Sequence, residues 1–288
     1  PSAFAARQME RLGRGVVALR QDDHTVFVSW RILGTEAADL AFNLYRITDA
    51  GTPQRVNAAP LLVSNFVDAN AAAAQSHSYF VRAVSSGKEG EPGATFTVKA
   101  NSGARGYLSI PLDPPPGGTT PDGRSYTYTA NDCSAADLDG DGDQDLLYAN
   151  GDTFDSSLIK PDHGIQWLEN TGTFPFVSHR LTSMPGVHRA LAGDLDGDGD
   201  LDLVAASLLP ETTRNQPSRG QLDSLIWLEQ HRPGEFRRHV LETGNCVHAA
   251  IELADFDIDG DLDIATGWFL DRKSDTQSAV AIWWNELR

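Results

Sequence analysis

Lysine is scarce, with four residues in 288, and all cationic side chains together number 23 against 40 carboxylates, a formal net charge of −17. So little positive charge argues against nucleic acid as a partner, because phosphate binding needs clustered Lys and Arg. No apolar run of about 18 residues occurs, so no segment reads as a membrane-spanning helix. Cysteine is nearly absent. Cys133 and Cys246 make no disulfide framework, and one bridge or two buried thiols remain equally open. The chain opens at Pro1 with neither an initiator Met nor a charged, apolar leader, which fits a removed signal peptide or a fragment of a longer chain. Also missing are a GxSxG elbow, a phosphate-cradling glycine loop and a CxxC pair. What is present is 40% apolar residues, enough to build the core of one large domain or two ordinary ones.

The chain repeats itself. "DLDGDGDQD" (137–145), "DLDGDGDLD" (194–202) and "DFDIDGDLD" (255–263) recur 57 and 61 residues apart. Around them recur "IQWLEN" (165–170), "LIWLEQ" (225–230) and "AIWWNE" (281–286), the pair "FVSHRL" and "FRRHVL", and the pair "GVHRAL" and "CVHAAI". Each unit predicts four short strands: a small-residue segment before the first Asp, a strand after the last Asp, a tryptophan strand and a Phe-to-His strand. Four strands at this period are the pattern of a propeller blade. The third unit stops before its fourth strand, and rings close with about 4 to 8 blades. The expectation is therefore a partial β-propeller over 131–288, completed by further blades or by self-association.

Residues 1–105 carry none of this repeat. "TVFVSWRILG", "AFNLYRI" and "SYFVRAV" alternate apolar and polar residues between turn clusters, which predicts an antiparallel sandwich with Trp30 and Tyr79 in its core. A Pro/Gly-rich linker, 106–130, separates the two parts. The fold class expected is all-β.

The acidity is concentrated in the repeated loops. They hold fifteen aspartates, leaving 25 acidic residues against 23 basic ones elsewhere. Carboxylates ~6 Å apart repel by ~3 kcal/mol per pair at an effective dielectric of ~20, so such a turn calls for a neutralising cation. The pattern DxDxDGxxD offers oxygen at positions 1, 3, 5 and 9, a carbonyl at 7, and a glycine at 6 where the backbone bends. All-oxygen coordination suits Ca2+ over zinc or magnesium, with about three ions in total. An EF-hand fails at position 12, which is Tyr148, Ala205 or Thr266 instead of Glu, and because strands follow the loops. The candidate ligands are Asp137, Asp139, Asp141, Asp143 and Asp145; Asp194, Asp196, Asp198, Asp200 and Asp202; and Asp255, Asp257, Asp259, Asp261 and Asp263. The aspartate at loop position 7 (Asp143, Asp200 or Asp261) acts through its carbonyl, and each ion is a structural clamp.

Catalytic candidates are fewer. His188 and His248 stand at matching points before the second and third loops, on segments that line the channel of a propeller, where a His can act as a general base. Arg189 follows His188. The alternative is that such histidines belong to the repeat framework, as do the recurring His179 and His239. The polar hairpins 151–164, 209–224 and 270–279 differ from unit to unit, as binding loops on a repeated scaffold do. Their Lys160, Arg214, Arg219, Arg272 and Lys273 either pair with the carboxylates of an acidic sugar or are solvated. Trp167, Trp227 and Trp283 read as blade core in preference to sugar platforms.

"RQMERLGRGVVAL", "VFVSWRILGTE", "FNLYRI", "YFVRAV" and the stretch "YLSIPLDPPPGGTTPDGRSYTYTANDCSAADLDGDGD" together resemble the amino-terminal region of rhamnogalacturonan lyases of polysaccharide lyase family eleven, over residues 5–145. The later units are similar to FG-GAP or VCBS repeats. The resemblance implies a fibronectin type III-like sandwich ahead of a calcium-rich propeller, in a secreted, extracellular or periplasmic enzyme that cuts a pectic, acidic polysaccharide by β-elimination. It places the family's calcium aspartates on Asp137, Asp139, Asp141 and Asp145, and no catalytic Lys or Arg segment finds a match. A non-catalytic propeller that binds a glycan or protein is the other expectation.

Overall fold

A computed structural model describes residues 12–34, 36, 37, 39–151, 157–172, 174–214, 221–269 and 280–286. Among the described residues the chain is all-β apart from one turn of helix, Glu211–Arg214. No helix among the described residues is long and apolar enough to cross a membrane.

Eight strands form the amino-terminal part: β1 (Val17–Arg20), β2 (Val26–Ser29), β3 (Ala41–Thr48), β4 (Gln54–Arg55), β5 (Asn65–Asp68), β6 (His77–Ser85), β7 (Lys88–Pro92) and β8 (Phe96–Val98). One sheet runs β1-β2-β5; the other runs β4-β3-β6-β7, with β8 also on β6. Alternation sends Ala18, Val26 and Val28 from the first sheet and Phe42, Leu44, Tyr79 and Val81 from the second into one apolar cluster. Trp30 meets Phe42 edge-on at 5.6 Å. The buried Tyr79 hydroxyl donates to Asp68, which also pairs with Arg46 at 2.7 Å. Trp30 and Tyr79 thus sit in the core, as their flanking patterns predict.

Inside the proline-rich stretch, β9 (Gly118–Thr119) and β10 (Ser125–Tyr126) pair as a small hairpin. Three antiparallel sheets follow in simple up-and-down order. The first is β11 (Asp132–Ala136), β12 (Asp145–Ala149), β13 (Gly164–Glu169) and β14 (Val177–Ser183). The second is β15 (Val187–Gly193), β16 (Asp202–Ser207), β17 (Asp223–Arg232) and β18 (Glu235–Thr243). The third has β19 (His248–Ala254), β20 (Asp263–Trp268) and β21 (Val280–Trp283).

Neighbouring sheets share cores. Leu147, Ile165 and Trp167 of the first pack with Val187, Leu203 and Ile226 of the second. Val204 and Leu225, on the opposite face of the second, pack with Ile251 and Ile264 of the third. This is why all six residues of β16 are buried: both its faces are covered.

The tryptophan strands differ from expectation in register. Leu168 pairs with Leu146 and Leu228 with Leu203, each beside the residue that follows the ninth Asp; in the third sheet that place is taken by Trp283, opposite Ile264. Ile282 therefore stands where Trp167 and Trp227 stand, and Trp284 where Glu169 and Glu229 stand. A slip of one residue turns a side chain to the other face of a strand. Accordingly Ile282 and Trp284 are exposed, while Trp283 packs inward. Trp283 is not the structural counterpart of the other two tryptophans.

Neither cysteine alternative, one bridge or two buried thiols, holds as expected. Both thiols are free, Cys133 exposed and Cys246 buried.

Candidate metal centre

Each acidic loop joins the first two strands of its sheet. The pairs Ala136–Asp145, Gly193–Asp202 and Ala254–Asp263 close the three loops at equivalent points. The bend at position 6 has positive φ in every case: Gly142 at 96°, Gly199 at 102° and Gly260 at 108°. A side chain there would be strained, which accounts for the invariant glycine within the repeat. Position 4 is also left-handed. It is Gly140 and Gly197 in the first two loops but Ile258, at φ 66° and 85% exposed, in the third.

The first Asp of each loop faces inward and accepts from the loop's own backbone. Gly142 N donates to Asp137, Gly197 and Gly199 N to Asp194, and Ile258, Asp259 and Gly260 N to Asp255. Carboxylate oxygens of Asp137, Asp139 and Asp141 lie within 4.8 Å of one another, as do those of Asp194, Asp196 and Asp202, and of Asp255, Asp257 and Asp259. Two oxygens opposite each other on a Ca2+ ion, at about 2.4 Å each, span that distance. The donor set is oxygen only, so the residues fit a hard divalent cation. Burial, followed by the neighbouring aspartate charges, raises the pKa of Asp143, and burial also raises those of Asp139, Asp196 and Asp257. Asp261 is pushed up to about 6 by burial and then by the Asp259 and Asp263 charges.

The ninth aspartates have a second task that the motif does not announce. Asp145 accepts from Leu138 N at 3.0 Å and Asn170 N at 2.7 Å. Asp202 accepts from Leu195 N at 3.1 Å and Gln230 N at 2.8 Å, and Asp263 from Phe256 N at 2.9 Å and Asn285 N at 2.9 Å. One oxygen of each buried carboxylate thus holds the loop's own second residue and the other ties the loop to the carboxyl-terminal end of the third strand. Burial nevertheless raises Asp145 and Asp202 to about 6.

Sequence reasoning missed the partners of this latch. The amides of Asn170, Gln230 and Asn285 donate to the carbonyls of Gln144, Leu201 and Leu262, the eighth residue of each loop. Gln230 also reaches Leu138 O at 3.0 Å in the preceding sheet, and Asn285 reaches Leu195 O at 2.7 Å. The amide column therefore stitches the second and third loops each to the loop before it. The first loop is held from the amino-terminal part too, since Gly13 N donates to Gly142 O at 2.5 Å.

The catalytic candidates fare unequally. His248 is fully buried, with Nε2 2.6 Å from Glu242. Burial raises the Glu242 carboxyl, but hydrogen bonds from His248 and Asn245 outweigh it and leave a net lowering. His188 is half-buried at a β-bulge, and burial lowers its pKa, so the ring is neutral at neutral pH. Arg189 lies 3.8 Å from Asp132. His179 and His239 are framework residues: each bonds a glutamate at 2.6 Å, Glu169 or Glu229, and lies over Trp167 or Trp227. Lys160 is no solvated rim charge. It is buried with its ammonium 5.6 Å from the Tyr128 ring centre. The Arg214 side chain, Arg219, Arg272 and Lys273 lie outside the described residues.

Residues 7–99 match the family described as the rhamnogalacturonan I lyase beta-sheet domain, and residues 107–155 the C-terminal domain of rhamnogalacturonan lyase family 11. The chain is a relative of the rhamnogalacturonan lyases. An FG-GAP-like repeat follows over residues 137–205. The rhamnogalacturonan endolyase YesW of Bacillus subtilis is 51% identical over 143 residues, 50% of this chain and 21% of that protein. The exolyase YesX of the same organism is 43% identical over 210 residues, 69% of this chain and 32% of that protein. The crystal structure of YesW superposes with a TM-score of 0.62 at 31% identity, covering 91% of this chain and 49% of that one. The chain thus spans at most about half the length of these relatives.

Proposed function

We propose that the chain serves a secreted, calcium-dependent rhamnogalacturonan lyase that cleaves an acidic pectic polysaccharide by β-elimination. The observation that carries this reading is that the lyase-type stretch, residues 107–155, contains the first loop of clustered carboxylates, which two further loops repeat downstream. In this reading residues 1–105 are a fibronectin type III-like sandwich, 106–130 a linker, and the three sheets of 131–288 propeller blades.

Asp137, Asp139 and Asp141, with their counterparts in the other loops, would hold Ca2+, which when bound neutralises the loop and fixes the hairpin. Elimination needs a base for the proton beside the uronate carboxyl. His188, neutral and partly accessible, suits that task, with Arg189 next to it to meet the carboxylate; His248, sealed against Glu242, does not.

Incubation with rhamnogalacturonan and calcium, following the ultraviolet absorbance of the unsaturated product, tests the reading. Product formation that falls at least tenfold in His188→Ala supports it. Retention of the polysaccharide on the protein with no product at high protein concentration overturns the lyase and leaves a glycan-binding propeller.

A further inference from the structure

The three acidic loops share a motif, yet among the described residues the first alone receives a hydrogen bond from the amino-terminal part, from Gly13 N to Gly142 O. Gly13 is strapped to that part. Arg31 N donates to Arg14 O at 2.8 Å, and Arg14 Nη1 returns a bond to Arg31 O at 3.2 Å. The Arg14 guanidinium also binds Glu36 and lies 5.0 Å from the centre of the Phe42 ring, itself in the amino-terminal core. On the other side of the same segment, Arg31 Nη1 donates to Gly13 O at 3.1 Å. A side chain at residue 13 would set its Cβ 3.0 Å from Gly142 O and 3.9 Å from Asp143 Oδ1, so glycine lets strap and loop close on each other.

The contact falls on the peptide that an ion would fix. Gly142 is the bend, at φ 96°, and Asp143 is the residue whose carbonyl completes the expected oxygen set. Gly142 N donates to Asp137, a candidate ligand, so a line of hydrogen bonds runs from Gly13 through the Gly142 peptide to the first carboxylate. Bonds in such a line polarise and strengthen one another. The charges around this loop are particular to it as well. Burial and then Asp141 raise the Asp143 pKa, and the Arg31 guanidinium opposes them. The charges bearing most on Asp196, Asp202, Asp257 and Asp261 are all carboxylates.

We propose that the first acidic loop is a joint between the two parts of the chain: a divalent cation held there fixes the Gly142 bend against Gly13 and locks the amino-terminal part onto the first sheet. Ions in the second and third loops hold their own hairpins only. Without the first ion, carboxylate repulsion opens the bend, Arg31 remains as a weak local counter-charge, and the two parts turn over a wider range of angles. Such coupling is reciprocal: what the ion does for the contact, the contact does for the affinity of the ion. The proposal rests on the calcium reading above and gives one of its three sites a task the other two do not share.

Double electron–electron resonance on the whole chain tests it. In a Cys133→Ser background, where the remaining Cys246 is buried, spin labels on Lys88→Cys and Val177→Cys span the two parts from exposed positions. Calcium should narrow the distance distribution about twofold or more relative to EGTA. Asp139→Asn in the first loop should leave it broad in calcium, whereas Asp196→Asn, its counterpart in the second, should leave it narrow. Gly13→Pro removes the donor from a segment outside the sheets and should also keep it broad. With the second and third loops disabled by Asp196→Asn and Asp257→Asn, Gly13→Pro should weaken calcium binding about three- to tenfold by calorimetry. A distribution that calcium does not narrow, equal broadening by Asp139→Asn and Asp196→Asn, or a Gly13→Pro chain that matches the wild type would overturn the joint. Calorimetry on the wild type separates the two levels. Calcium bound without narrowing defeats the joint alone, whereas no calcium bound at millimolar concentration defeats the clamp reading beneath it.

Discussion

Asp202 is both latch and candidate ligand, so Asp202→Asn reports on the latch alone only when measured in EDTA. The carboxylate is wholly buried and accepts two backbone hydrogen bonds, from Leu195 N at 3.1 Å and Gln230 N at 2.8 Å. An amide of the same shape keeps one acceptor and turns an NH2 towards the other N–H. One charge-assisted bond worth about 1.5–3 kcal/mol is lost, and a buried donor is stranded at about 1–3 kcal/mol. Because these overlap, we expect a loss of about 2–4 kcal/mol in EDTA. Asp196→Asn is the control. Its carboxylate accepts only from Asp198 N, at 3.2 Å near the surface, so without calcium it should cost less than about 1 kcal/mol. Calcium at 100 times its Kd stabilises the wild type by about 2.7 kcal/mol for one site, and Asp196→Asn should lose most of that gain. Urea unfolding followed by tryptophan fluorescence, with and without calcium, reads both quantities. At an m-value near 2 kcal/mol/M the Asp202 shift is about 1–2 M. If the two variants unfold together in EDTA, the ninth carboxylate is not a latch. If calcium moves neither wild-type midpoint nor melting temperature, the clamp reading fails.

Three further outcomes follow from the same geometry. Glu36 bonds the Arg14 guanidinium and Leu33 N, and the Arg14 hydrogen bond, winning over burial, holds its carboxyl below the ordinary glutamate value of 4.5. A group with a depressed folded pKa stabilises above its unfolded pKa, so this contribution is full at neutral pH and fades as pH falls from about 4.5; Glu36→Gln should flatten that part of the stability profile. Gly151→Ala would set a Cβ 2.1 Å from Val187 O, a backbone atom that cannot swing away, and should cost about 3 kcal/mol or more, read as a lower denaturation midpoint. Ile258→Gly removes a β-branched residue from the left-handed region and should stabilise by about 1 kcal/mol in EDTA; a destabilised variant would show that Ile258 is not strained.

The repeat was legible because chemistry demands it at fixed spacing. Carboxylates that share a cation must recur two residues apart, and the bend between them admits only glycine, so loops and sheets could be read without a partner sequence. The tryptophans misled for an equally physical reason. A strand has period two, and a bulky aromatic is tolerated on either face when the next sheet leaves room, so Trp283 shares a letter with Trp167 and Trp227 but not their position. The amides held the true register. Asn170, Gln230 and Asn285 each serve a buried carboxylate through the backbone and a carbonyl through the side chain, two constraints that fix both position and face. Aligning the units on that column puts Trp284 in the glutamate's place and shows at once that the third unit lacks the Glu–His–Trp stack of the other two.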